Sequence, residues 1–67
     1  MLSARNQFKG IVKSVTLGTV MAEVIVTVGE IEVVSVITRN SAVHLGLKPG
    51  DKVTAVIKAT EIMVAKD

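Results

Sequence analysis

The strongest regularity in the chain is a period of two. Val20, Ala22, Val24, Val26 and Val28 fall on one side of an extended segment, and Met21, Glu23, Ile25 and Thr27 fall on the other. β-Branched side chains suit such a pleated surface. Gly29-Glu30 follows, a Gly-X pair that suits a type II′ hairpin. The return strand is predicted over residues 31–38. Ile31, Val33, Ser35 and Ile37 face one way, and Glu32, Val34, Val36 and Thr38 the other. Both sides carry apolar side chains, whereas a two-layer monomer keeps one sheet face wet and polar. The strand is therefore expected to have protein on both sides, part of it from another subunit.

The flanking segments complete the pattern. Residues 7–15 read as a first strand with weaker alternation, and Leu17-Gly18 as a turn. After residue 38 the stretch "RNSAVHLGLKPGD" abandons the period of two. Asn40 or Ser41 is expected to cap a single helical turn. Gly46 is expected to stop it in a left-handed conformation. Pro49-Gly50 fits the centre of a type II turn. Residues 52–58 form a fourth strand with Val53, Ala55 and Ile57 on one face. Residues 58–60, "KAT", are a bend or bulge, and residues 61–65 a short last strand. Five strands with a helical turn after the third give an all-β, OB-like Greek-key barrel. It occupies residues 1–67 as one domain, with no repeat, low-complexity tract or linker.

Size changes this picture. A chain of 67 residues without cysteine has neither disulfides nor a thiolate metal site, and one histidine cannot build an imidazole site. Domains below roughly 70–80 residues need a staple. Hydrophobic residues nevertheless make up 49% of the chain, too many for so small an interior. The remaining staple is self-association. The sequence has no secretory signal pattern and no apolar run of about 18 residues. A cytoplasmic protein with no membrane partner is expected.

Charge and chemistry narrow the function. The net charge of +2 permits an anionic ligand but is no DNA-binding stripe. Single-strand binding leans on aromatic platforms, and Phe8 is the chain's one aromatic residue. Nucleic acid is therefore not expected as a partner. His44 has no carboxylate and nucleophile placed to form a triad, there is no P-loop or G-x-G-x-x-G, and no enzyme is expected. Donors remain: Ser3, Arg5, Asn6 and Gln7 at the start; Thr38, Arg39, Asn40 and Ser41 after the third strand; Lys58 and Thr60 near the end. Such acid-poor groups suit a small, fully ionised anion. The same residues also serve as ordinary turn, cap and surface groups, and composition leaves both readings open.

"SARNQFKG" at the start, "MAEVIVTVG" in the second strand and "AVIKATEIMVAK" at the end resemble the molbindins across essentially the whole chain. These are small cytoplasmic molybdate- and tungstate-binding proteins built from a single Mop domain. The module recurs as the TOBE-type domain of molybdate-responsive regulators and transporter ATPases. The resemblance implies a homo-oligomer, a hexamer built as a trimer of dimers. It implies molybdate or tungstate held at subunit interfaces without a further cofactor, for storage, buffering or delivery. Carried over by position, Ser3, Arg5, Thr38, Ser41 and Lys58 are the oxyanion contacts. The position after the lysine commonly supplies a serine hydroxyl and a backbone N–H; here it is Ala59, which leaves the N–H, with Thr60 as the substitute hydroxyl. Arg5 and Lys58 are expected to meet at one dianion from different chains. The alternatives are a small oligomeric, strand-swapped DNA-binding module and a purely structural β-module.

Overall fold

A computed structural model describes residues 4–67. The period-two segments form four strands: β1 (Asn6–Leu17), β2 (Met21–Val28), β3 (Ile31–Thr38) and β4 (Lys52–Ile57). Helix α1 (Arg39–Leu45) lies between β3 and β4. All pairings are antiparallel, in the order β3-β2-β1-β4. The architecture is the expected all-β, OB-like one. β1 serves two partners in turn. Residues Asn6 to Ile11 pair with β4, and residues Ile11 to Leu17 pair with β2, with a register shift between Val12 and Ser14.

Gly10 stands near this change of partner. A Cβ there would lie 2.5 Å from the Thr27 carbonyl oxygen and within 3 Å of the Val26 and Val28 side chains. Only glycine lets β1 pass so close to β2. The turns follow their local chemistry. Gly29 has φ 59°, and among the described residues no non-glycine residue has positive φ, which fits the type II′ hairpin. Gly46, at φ 63° and ψ 34°, ends α1 as expected, its N–H engaging the Ala42 and Val43 carbonyls. The Pro49-Gly50 turn is held against β1, where Gly50 N–H donates to the Val12 carbonyl and Val12 N–H to the Asp51 carbonyl, both at 2.9 Å.

The inward side chains of β2 behave as the alternation requires. Ala22, Val24 and Val26 are buried, with Val12 of β1 against them, and Ala42 closes the helix side. This core is small. The 7.1 kDa chain exposes 5581 Å², where a compact monomer of that mass exposes about 4,100 Å². The radius of gyration is 12.6 Å, against about 11 Å for a compact domain of this length. Much of the excess is apolar. Val34 and Val36, on the outward face of β3, are each 60% exposed. The protein covering expected on that face is absent from a single chain.

The barrel is also open. β3 and β4 are the two sheet edges, and a groove of about 670 Å³ runs between them, bordered by Val33, Ser35 and Ile37 on one side and Val53, Ala55 and Ile57 on the other. The expected fifth strand over residues 61–65 is not formed. Ala59–Glu61 make a 3₁₀ turn, and residues 62–67 are irregular and exposed. A strand exists only where a ladder pairs it, and this tail reaches neither open edge of its own chain.

Candidate functional site

The expected oxyanion residues divide between two places. The β1–β4 register ends with Asn6 opposite Ile57. One position further along each strand stand Arg5, at a bend, and Lys58. Arg5 and Lys58 of one chain therefore stand at adjacent register positions. The antiparallel register alone brings them together. Ala59 and Thr60 follow Lys58 in the 3₁₀ turn, replacing the expected bend or bulge. The first amides of such a turn have no carbonyl partner within it, so they are available as donors beside Lys58. Ser3 lies outside the described residues.

Thr38 and Ser41 lie elsewhere. Leu17 pairs with Ala22 and Ala22 with Ile37, so the end of β3 sits beside the end of β1. Arg5 precedes the start of β1. The twelve residues of β1 separate the two groups, a path of about 40 Å along the strand at about 3.3 Å per residue, in a molecule whose long dimension is 36 Å. No small anion can touch both groups of one chain.

The two groups also differ in their hydrogen bonding. The side chains of Arg5 and Lys58 are exposed and have no hydrogen-bond or ion-pair partner among the described residues. The carboxylates that pair do so elsewhere, Glu32 with Lys13 and Asp51 with Lys48. Arg5 and Lys58 thus hold cationic donors that no carboxylate among the described residues neutralises.

At the other end the donors are partly committed. Thr38, in extended conformation at φ −68° and ψ 148°, is the N-cap of α1, where Asn40 or Ser41 was expected. All three residue types can cap. β3 decides the matter by staying paired as far as Thr38, opposite Met21. The Ser41 N–H donates to Thr38 Oγ1 at 3.1 Å, and the Thr38 hydroxyl donates to Ser41 Oγ at 2.8 Å. A hydroxyl has one proton. Thr38 spends its own on Ser41, and the proton of Ser41 is the one left for a ligand. Arg39, between them, donates from Nη1 to the Gly18 carbonyl at 2.9 Å and from its backbone N–H to the Val20 carbonyl at 2.8 Å. These bonds fasten the start of α1 to the β1–β2 turn.

Among the described residues no three His, Cys, Asp or Glu side chains are grouped to hold a metal ion. His44 is exposed in the last turn of α1. Among the described residues no helix is long and apolar enough to cross a membrane.

A small open β-barrel with a helix after its third strand and cationic and hydroxyl donors at its two ends is an OB-like ligand-binding module. The TOBE domain model matches residues 2–64, and the chain belongs to that family. Molybdenum-pterin-binding protein 3 of Clostridium pasteurianum is 47% identical over 64 residues, 94% of each chain. A molybdate-binding protein from Sporomusa ovata has the same fold with a TM-score of 0.94 and 45% identity, over 98% of each chain. The cytoplasmic molybdate-binding protein ModG, with molybdate bound, aligns with a TM-score of 0.83 and 45% identity, over 88% of this chain and 43% of its own.

Proposed function

We propose that this chain binds molybdate or tungstate as a homo-oligomer, each anion lying between the Arg5–Lys58 end of one copy and the Thr38–Ser41 end of another. Arg5 and Lys58 neutralise the dianion. Ser41, the amides of Ala59 and Thr60, and the Thr60 hydroxyl satisfy its oxygens, with Ser3 completing the set and Thr38 orienting the Ser41 hydroxyl. The observation that carries this reading is the division of the donors. Cations without a partner among the described residues stand at one end of the sheet and hydroxyls at the other, too far apart to serve one ligand unless copies meet. The relatives named for molybdate and molybdenum-pterin binding supply the ligand class.

The donor set selects among anions. Molybdate and tungstate are tetrahedral dianions without a proton near neutral pH. Monohydrogen phosphate carries a proton that needs an acceptor, and a buried mismatch costs about 1–3 kcal/mol. Sulfate has the right charge and no proton, so discrimination against it rests on size. The longer metal–oxygen bonds fit a pocket held at a larger span by two rigid sheets. Bonds to charged groups contribute about 1.5–3 kcal/mol each. Four or five offset the loss of freedom well enough for roughly micromolar affinity.

The oligomer is a hexamer, a trimer of dimers, in the cytoplasm, and its role is storage, buffering or delivery of the anion, with no catalytic step. The uncovered Val34 and Val36, the open β3 and β4 edges and the exposed tail, with Met63 93% and Val64 94% exposed, support self-association. Calorimetry with molybdate, tungstate, sulfate and phosphate tests the ligand, and light scattering tests the assembly. Heat with none of the four anions, or a monomeric mass, overturns the reading. Mixing tests the sharing of sites. Arg5→Ala/Lys58→Ala and Thr38→Ala/Ser41→Ala chains, each inactive alone, are expected to recover binding when refolded together. A purely structural module has one observation in its favour, because Thr38 and Ser41 already serve as a helix cap. Full binding by the Ser41→Ala variant would support it.

A further inference from the structure

Within the opening stretch, Gln7 alone among the described residues makes a side-chain hydrogen bond: its Nε2 donates to the Ala4 carbonyl at 2.8 Å. The contact reaches back three residues, around the bend at Arg5. The two ends of this bridge are unlike. Gln7 sits in the β1–β4 ladder opposite Val56, so its backbone is fixed. Ala4 precedes the ladder and takes no part in it. A fixed residue thus holds the segment that leads into Arg5.

The bridge bears on Arg5 through one peptide unit. The Ala4 carbonyl and the Arg5 N–H belong to the same planar amide, and the peptide bonds here are trans. In a trans amide the two groups point in opposite directions. Holding the carbonyl on the Gln7 side therefore turns the Arg5 N–H to the other side, where it is free to donate. It also fixes the path of the backbone at Arg5, one position beyond the Asn6–Ile57 pair and beside Lys58. Without it, two residues outside the ladder would have to be ordered when the anion binds, and that ordering opposes binding.

We propose that Gln7 is a positioning residue of the oxyanion site, setting the Arg5 guanidinium and N–H beside Lys58 before the anion arrives. This rests on the reading of Arg5 as an oxyanion ligand. Gln7 itself does not touch the anion.

The test is a double-mutant cycle read by molybdate titration. Gln7→Met keeps the length of the side chain and removes the donor. It is expected to weaken binding roughly 3- to 10-fold, the range of one neutral hydrogen bond. The melting temperature without anion and the oligomer mass are expected to match the unaltered protein, because Gln7 is exposed and its backbone pairing is retained. In an Arg5→Ala background, titrated to millimolar anion, Gln7→Met is expected to cost clearly less than in the unaltered protein, since the guanidinium it positions is gone and only the backbone N–H remains. An unchanged isotherm for Gln7→Met, or an equal loss in both backgrounds, overturns the proposal. Failure of the unaltered protein to bind, or full binding by Arg5→Ala, overturns the reading beneath it. Clear loss in Arg5→Ala with none in Gln7→Met overturns the role of Gln7 alone.

Discussion

The two ends of the sheet carry similar residue types and use them differently. Among the described residues, the cationic groups at the Arg5–Lys58 end have no side-chain partner, and the one side-chain bond nearby, from Gln7, is spent on the backbone. At the Thr38–Ser41 end the polar groups are busy. Thr38 caps α1, Ser41 gives its N–H to that cap and receives the Thr38 proton, and Arg39 ties the helix to the β1–β2 turn. One end is a set of spare donors attached to a rigid ladder. The other is a piece of folding machinery with one proton to spare. The stability of the fold is thus expected to depend on one end and ligand affinity most strongly on the other.

The comparison breaks most easily at the cations. Arg5→Ala and Lys58→Ala should each weaken molybdate or tungstate binding by roughly 10- to 150-fold, the value of a charge-assisted hydrogen bond, while leaving the melting temperature of the anion-free protein unchanged. Calorimetry alongside thermal melts checks both halves. Gly10→Ala is expected to act on both ends together. The new methyl group meets the Thr27 carbonyl oxygen, and such overpacking destabilises by about 1–3 kcal/mol, to be read from a denaturant midpoint. Thr38→Ala should reverse the pattern of Arg5→Ala. Loss of the cap should lower stability by about 1 kcal/mol, visible without ligand present. The smallest effect sharpens the comparison from the other side. Ala59→Ser adds a hydroxyl next to Lys58 and should tighten binding a few-fold, the value of one more hydrogen bond at about 0.5–1.5 kcal/mol, with stability unchanged.

Much of the fold was legible because its cues are local. Gly29 in the hairpin and Gly46 at the helix stop carry their conformations with them, and the valines of β2 show which face is inside. The N-cap was misplaced because Thr38, Asn40 and Ser41 can all cap. Pairing with β2 decided which one does, and that pairing is tertiary. The last strand was not realised for a related reason. Ile62, Met63 and Val64 have the side chains of a strand but no ladder within their own chain.

For the candidate site, the residue types were legible and their placement was not. Arg5, Lys58, Thr38 and Ser41 stood out as donors free of acids, and nothing in their spacing put Arg5 and Lys58 in the same chain. The signal was nevertheless available. In a three-strand meander the start of β1 and the end of β3 lie at opposite ends, so Arg5 and Thr38 could have been separated before the structure was known. Gln7 was visible as a donor, but no pattern in the sequence distinguishes an amide that holds its own backbone from one that faces solvent.

β1 is the covalent link between the two ends, and its length acts as a ruler. Its twelve residues fix the span between the groups, and so the spacing of any assembly in which the end of one copy meets the opposite end of the next. Two residues added to β1 would preserve which side chains face inward and stretch the span by about 7 Å, changing the shape of the assembly without altering a single donor. One added residue would turn every later side chain of the strand over. In an assembly of that kind, closure would be encoded as a residue count, on a strand none of whose own side chains has to touch the ligand.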